Sequence, residues 1–130
     1  MGSLRERNRS LWVATTQDAR RFGPLADDGN LDAVVVGAGI TGLTAGLLLR
    51  REVLDVAIVE AGRVCAGTTG YTTAKVTSLH GLVYSELMAR HGEERTRAYA
   101  EANQAGLEEI ARLNTELGID CDFQRRDAYT

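Results

Sequence analysis

The sequence lacks most of the features that assign a protein quickly. Two cysteines and two histidines are scattered through its 130 residues. Cys65 and Cys121 form no CxxC pair and have no clustered histidine, which excludes a zinc site and a disulfide framework. We expect no metal and free thiols. There is no basic excess: the net charge is −3, so the surface a polyanion needs is missing and no nucleic-acid partner is expected. No apolar run reaches membrane-spanning length. Behind Arg5, Arg7 and Arg9, the stretch Ser10-Leu11-Trp12-Val13-Ala14 is too short for a secretory h-region. The expectation is a cytoplasmic protein with no membrane span. Internal repeats and low-complexity tracts are absent as well.

What is present is ordinary for a globular chain, with 44% apolar and 25% charged residues. The length sets a ceiling of one domain with a modest core. Residues 1–30 have mixed polarity and end in the turn formers Gly23 to Asn30, so they read as an extended leader. Residues 31–130 read as the domain proper. Leu31 to Val36 carries the β-branched run Val34-Val35-Val36, the signature of a strand buried on both faces of a parallel sheet. From Ile40 to Arg51 the apolar period turns helical. Asp55 to Glu60 returns to an apolar run that ends in an acid. Strand, helix and strand therefore occupy one βαβ unit of the usual length, about 30 residues.

Residues 61–81 are rich in Gly, Thr and Ser and predict a loop with room for one short helical turn. Leu82 to Arg90 predicts a helix that His91-Gly92 ends, and Glu93 to Leu117 a longer one. Its stripe of Tyr99, Gly106, Ile110, Leu113 and Leu117 is expected to pack in a core, with Glu93/Arg97 and Glu108/Arg112 as i,i+4 pairs and Gly118 past its end. Ile119 to Thr130 reads as a strand, a turn and the start of another strand.

The chemistry concentrates at Gly37-Ala38-Gly39-Ile40-Thr41-Gly42, a GxGxxG between the first strand and the first helix. Gly37 lets the chain leave the strand sharply, Gly39 removes a Cβ that would keep a pyrophosphate from the backbone, and Gly42 lets the helix lie against the sheet. A diphosphate there would meet unpaired N–H groups and the positive end of the helix dipole, which explains a site without Lys or Arg. Glu60 ends the second strand about 20 residues beyond the turn, where a carboxylate accepts from both ribose hydroxyls and repels a 2′-phosphate. Glycines in this spacing also mark plain turns. The strand before, the helix after and the acid beyond make it a dinucleotide site.

Three stretches carry a resemblance: Val34 to Gly46, Val59-Glu60-Ala61-Gly62-Arg63-Val64, and the unusual Gly67-Thr68-Thr69-Gly70-Tyr71-Thr72-Thr73-Ala74-Lys75-Val76-Thr77. With these the sequence resembles FAD-dependent oxidoreductases of the D-amino-acid oxidase and glycine oxidase type. It looks most like the bacterial branch that often carries a C-terminal Rieske [2Fe–2S] domain. The resemblance implies a Rossmann-like α/β fold that binds FAD through a βαβ unit and a parallel sheet. In such flavoproteins the loop after the ribose acid folds over the pyrophosphate and runs beneath the flavin. That adds Ala61, Gly62, Arg63, Gly67, Thr68 and Thr69 to the turn residues and Glu60 as cofactor contacts, and places Lys75 near flavin N1/C2=O or else on the surface. The implied reaction is removal of hydride from the C–N bond of an amine or amino acid, which makes a small molecule the partner.

The sequence also departs from relatives in informative ways. Those that oxidise N-methyl amino acids with covalent FAD have Trp-His after the paired threonines, where Gly70-Tyr71 stands here, so that link is unavailable. A Rieske cluster needs two Cys and two His in close-spaced pairs, and Cys65, Cys121, His80 and His91 form none. The family's second adenine-domain segment and its substrate domain would follow Thr130, so the fold is expected to be incomplete at its C-terminal side, with Val34-Val35-Val36 and the inner stripe of the Glu93 to Leu117 helix partly uncovered, and the 130 residues alone to be catalytically silent and to hold FAD poorly or not at all. Two other readings stay open: the NAD-binding domain of a dehydrogenase, and a truncated, non-enzymatic remnant. His80 and His91 read as helix-end or loop residues and Cys65 as an inert thiol. Trp12 either packs onto the fold from the leader or covers an interface. No residue can be named as catalytic.

Overall fold

The computed structural model describes residues 9–16, 20–25 and 29–129, in two compact units, 1–73 and 74–130. Arg5 and Arg7, residues 26–28 of the turn-former cluster, and Thr130 lie outside the described residues.

In the first unit, α1 (Leu11–Thr15), β1 (Ala33–Val36), α2 (Ile40–Arg51), β2 (Val56–Val59) and a 3₁₀ turn (Thr68–Tyr71) follow one another. The strands pair in parallel, Ala33 opposite Val56 through Val36 opposite Val59, and α2 packs on both. This is the expected strand–helix–strand order in a two-stranded sheet. The close packing is written in glycines. A Cβ on Gly42 would stand 1.9 Å from the Gly37 carbonyl oxygen, and one on Gly46 would stand 2.6 Å from Ile58 Cδ1. Only a helix face without side chains fits so near the strands.

One expectation for this unit is met and another needs correction. β1 is left partly uncovered, as expected: its exposure alternates, and Val34 and Val36 remain 55% and 84% exposed. One helix covers one side of a two-stranded sheet, and among the described residues nothing covers the other. The leader is not wholly extended, because Leu11–Thr15 is helical. Ser10 starts that helix by accepting the Val13 N–H at 3.1 Å, an N-cap that the polarity of the segment did not reveal.

The second unit is dominated by α3 (Val83–Glu116), broken where expected: Gly92 has φ 77 and ψ 178, a conformation reserved for glycine. The Glu93–Arg97 ion pair forms. Glu108 and Arg112 do not pair. Arg112 is taken from both sides by Glu109, with Nε to Oε2 at 2.7 Å, and by Glu116. Glu108 instead receives both guanidinium nitrogens of Arg125, one of them at 2.9 Å, so the pairing was decided by a residue outside the helix. The apolar stripe is left partly uncovered as well, as expected. Tyr99 and Leu117 are exposed, and within α3 only Thr96 is buried. Finally, residues 119–129 contain no strand, since no neighbouring strand offers them a ladder.

Candidate functional site

The site is built around Ala38, the one buried hydrophobic residue among those described, at 3% exposure. β1 ends at Val36 and Gly37 takes φ 101, which an L side chain rarely adopts, so the chain turns out of the sheet as the sequence predicted. Three further hydrogen bonds then fix the turn. The Gly37 N–H donates to the Val59 carbonyl at 2.7 Å. The Ala38 N–H donates to Glu60 Oε2 at 2.8 Å, and the Ala38 carbonyl accepts the Cys65 N–H at 2.9 Å.

Glu60 spans two turns. Its other oxygen, Oε1, accepts the Gly62 N–H at 2.9 Å. The backbone donors of Ala38, Gly62 and Ala61 hold its carboxyl below the ordinary carboxylate range, against a smaller opposing effect of burial. Each oxygen keeps a lone pair for a further donor.

α2 opens at Ile40 with Gly39 as N-cap, and Gly39 has no side chain to cap the helix. The first intrahelical bond runs from the Leu43 N–H to the Gly39 carbonyl at 3.0 Å, so the N–H groups of the opening turn need other partners. Thr69 supplies one: its Oγ1 accepts the Ile40 N–H at 3.1 Å. Thr41 and Gly42 follow in the same turn and direct their N–H groups towards the helix start, with the positive end of its dipole.

The structure therefore gathers Gly37, Ala38, Gly39, Ile40, Thr41, Gly42, Glu60, Gly62 and Thr69. Ala61, Arg63, Gly67 and Thr68 lie exposed on the loop that joins Glu60 to Thr69. Lys75 is exposed and belongs to the second unit. Sequence reading gave no role to Cys65, whose backbone closes the loop onto Ala38 from a left-handed conformation at φ 57, nor to Ser10. Neither carries a motif that would have flagged it. Beside the loop lies a cleft of about 500 Å³, its walls including Trp12, Phe22, Val64 and Tyr71.

Both histidines belong to the second unit. His80 Nε2 lies 3.1 Å from the Thr77 carbonyl, which can only accept, so that nitrogen donates, and Nδ1 shares a hydrogen bond with the Tyr99 hydroxyl at 3.0 Å. His91 is exposed within α3. No helix among the described residues is long and apolar enough to cross a membrane.

Comparison with known proteins gives a consistent family. Residues 32–130 match the model of the FAD dependent oxidoreductase family DAO. A protein of Bacillus subtilis named as a Rieske 2Fe-2S iron-sulfur protein, YhfW, is 37% identical over 125 residues, which is 96% of this chain and 24% of that protein. The gamma-glutamylputrescine oxidoreductase of Escherichia coli is 26% identical over 93% of this chain and 28% of its own length. A Haemophilus influenzae protein named as an oxidoreductase, OrdL, is 24% identical over 95% and 28%. The chain thus spans about a quarter of the length of the curated relatives it matches. No solved structure matches it significantly.

Proposed function

This chain belongs to the DAO family of FAD-dependent oxidoreductases, and from that membership we propose that it supplies the part of such an enzyme that holds the ADP half of FAD. The observation that carries the reading is the convergence on Ala38 and Ile40. A glycine turn, a carboxylate at the end of β2 and a threonine hydroxyl meet at the start of α2. The donors fit a diphosphate: the N–H groups of Thr41 and Gly42 precede the first intrahelical bond of α2, and Thr69, which accepts from Ile40, keeps its own hydroxyl hydrogen for a phosphate oxygen. Glu60 fits an adenosine ribose, since its bonds to Ala38 and Gly62 aim it and leave each oxygen able to accept a hydroxyl. It would repel a 2′-phosphate.

In the whole enzyme, bound flavin would accept a hydride from the C–N bond of an amine or amino acid. The residues of this chain bind and orient; the substrate groups would come from elsewhere. The amine in the name of the Escherichia coli relative supports that substrate class. A full FAD site lies across a crevice formed by both halves of a doubly wound sheet, so the affinity of these 130 residues alone should be modest.

The test is calorimetric titration of the chain with FAD, ADP and NADP. We expect the first two to bind and NADP to be rejected, with binding weakened by Glu60→Ala by about tenfold. Undiminished binding in that variant, or equal binding of NADP, would remove Glu60 from the site.

A further inference from the structure

We propose that α1 is a positioning clamp for the nucleotide site: through Ser10 and Trp12 it holds the Thr68–Tyr71 turn in the place from which Thr69 caps α2. This rests on the reading given above for the ligand, but the clamp itself is a matter of contacts within the first unit.

A five-residue helix has no stability of its own, because nucleation is not recovered in so few hydrogen bonds. Something outside α1 must hold it, and its partners are all on one loop. The Ser10 hydroxyl serves twice. It accepts the Val13 N–H at 3.1 Å, starting the helix, and donates its own hydrogen to the Gly70 carbonyl. Two residues on, the Trp12 indole N–H donates to the Thr72 carbonyl at 2.8 Å. Between them Val13 packs on buried Gly70, with Cγ2 only 3.2 Å from the place a Cβ there would take.

The contacts fall on carbonyls at the end of the turn, where a helical segment has no N–H donor of its own to satisfy them. Inside the turn, the Gly70 N–H meets the Gly67 carbonyl at 3.0 Å and the Thr72 N–H meets the Thr69 carbonyl at 3.5 Å. Thr69 therefore directly precedes one anchored residue, Gly70, and its carbonyl accepts the N–H of the other, Thr72. Its side chain points the other way, onto the Ile40 N–H. The path from α1 to the start of α2 is continuous: Ser10 and Trp12, then Gly70 and Thr72, then Thr69, then Ile40. It joins segments 60 residues apart in sequence, whereas the loop from Gly62 to Gly67 contains no helix or strand to fix Thr69 from its own side.

Ser10 and Trp12 are positioning residues in this account, and neither is expected to touch the ligand. The experiment uses the 130-residue chain and measures amide exchange of the segment 65–72 in the wild type, Ser10→Ala, Trp12→Phe and Ser10→Thr. Trp12→Phe keeps most of the ring packing and removes the donor; Ser10→Thr keeps the hydroxyl. Exchange of 65–72 should rise about fivefold for each hydrogen bond removed and stay at the wild-type rate in Ser10→Thr, with β1 and β2 unchanged. Trp12 is the single tryptophan, so its emission should shift to the red in Ser10→Ala. ADP affinity should fall in the same two variants by a similar factor.

Unchanged exchange of 65–72 in both variants would overturn the clamp. A rise in exchange with full ADP affinity would overturn its positioning role. Should Ser10→Ala loosen β1 and β2 as well, failure of Ser10→Thr to restore 65–72 also counts against it. If the wild type binds neither ADP nor FAD, the proposed ligand fails, and the exchange data still decide whether α1 holds the turn.

Discussion

Thr69 Oγ1 stands 3.2 Å from the point that a Cβ on Gly39 would occupy, while it accepts the neighbouring Ile40 N–H at 3.1 Å. The glycine and the hydroxyl are complementary. Gly39 cannot cap its own helix, and its missing side chain is what lets a threonine from a distant loop do so.

Removing that hydroxyl should therefore loosen the start of α2. Thr69→Val is expected to cost about 1 kcal/mol, as the loss of a helix cap does, with Thr69→Ser recovering most of it. Urea denaturation of the three proteins measures the difference. Equal midpoints for Val and wild type would show that solvent caps Ile40 as well as Thr69 does.

Gly39→Val should separate folding from binding. The N-cap backbone, at φ −84 and ψ −175, is open to any residue, so the fold should survive. The added side chain would push Thr69 aside and cover the helix-start N–H groups. We expect a cooperative denaturation curve lowered by no more than about the 1 kcal/mol of the lost Thr69 cap, and no detectable ADP binding by calorimetry. A variant that still takes up ADP would place the phosphate site elsewhere.

Two glycines of α2 should differ in sensitivity. At Gly42 a Cβ would collide with backbone, 1.9 Å from the Gly37 carbonyl oxygen, which cannot move without opening the turn. At Gly46 it would meet the far end of Ile58, 2.6 Å away, a side chain with partial exposure and room to change rotamer. Gly42→Ala is expected to lose about 3 kcal/mol or more, and Gly46→Ala about 1 kcal/mol or less. Thermal melts of both variants give the order, and the reverse order would contradict the packing described.

Glu60 predicts a pH dependence. Its carboxyl is held below the ordinary value of 4.5, first by the Ala38 N–H and then by Gly62. A depressed carboxylate stabilises the fold above its unfolded pKa, and that contribution disappears as pH falls through the lower, folded value. Compared with Glu60→Gln, wild type should be the more stable at neutral pH, and the gap should close below about pH 4.5. A gap independent of pH would mean that the charge contributes nothing to the turn.

The sequence by itself determined the local geometry. Gly37, Gly39 and Gly42 fall where a chain leaving a strand must turn and enter a helix, Glu60 ends the next apolar run, and Gly92 breaks α3 where it was read to do so. Each of these is a property of residues near one another in the chain, enforced by backbone sterics and period. What the tertiary structure alone decided lies in contacts between distant segments. Periodicity proposed a Glu108–Arg112 pair, but Arg125 and Glu116 competed and won. The run Val34-Val35-Val36 has the composition of a strand buried on both faces, yet burial depends on what else packs there. Glu60 was legible as the acid that ends the second apolar run, but its grip on Ala38 was not, because a hydrogen bond to a backbone N–H leaves no mark on the identity of its donor. The same holds for Ser10 and Gly70, and for Thr69 and Ile40. A side chain is encoded in the sequence, whereas the backbone group it finds is common to every residue, so only the folded path of the chain selects the partner.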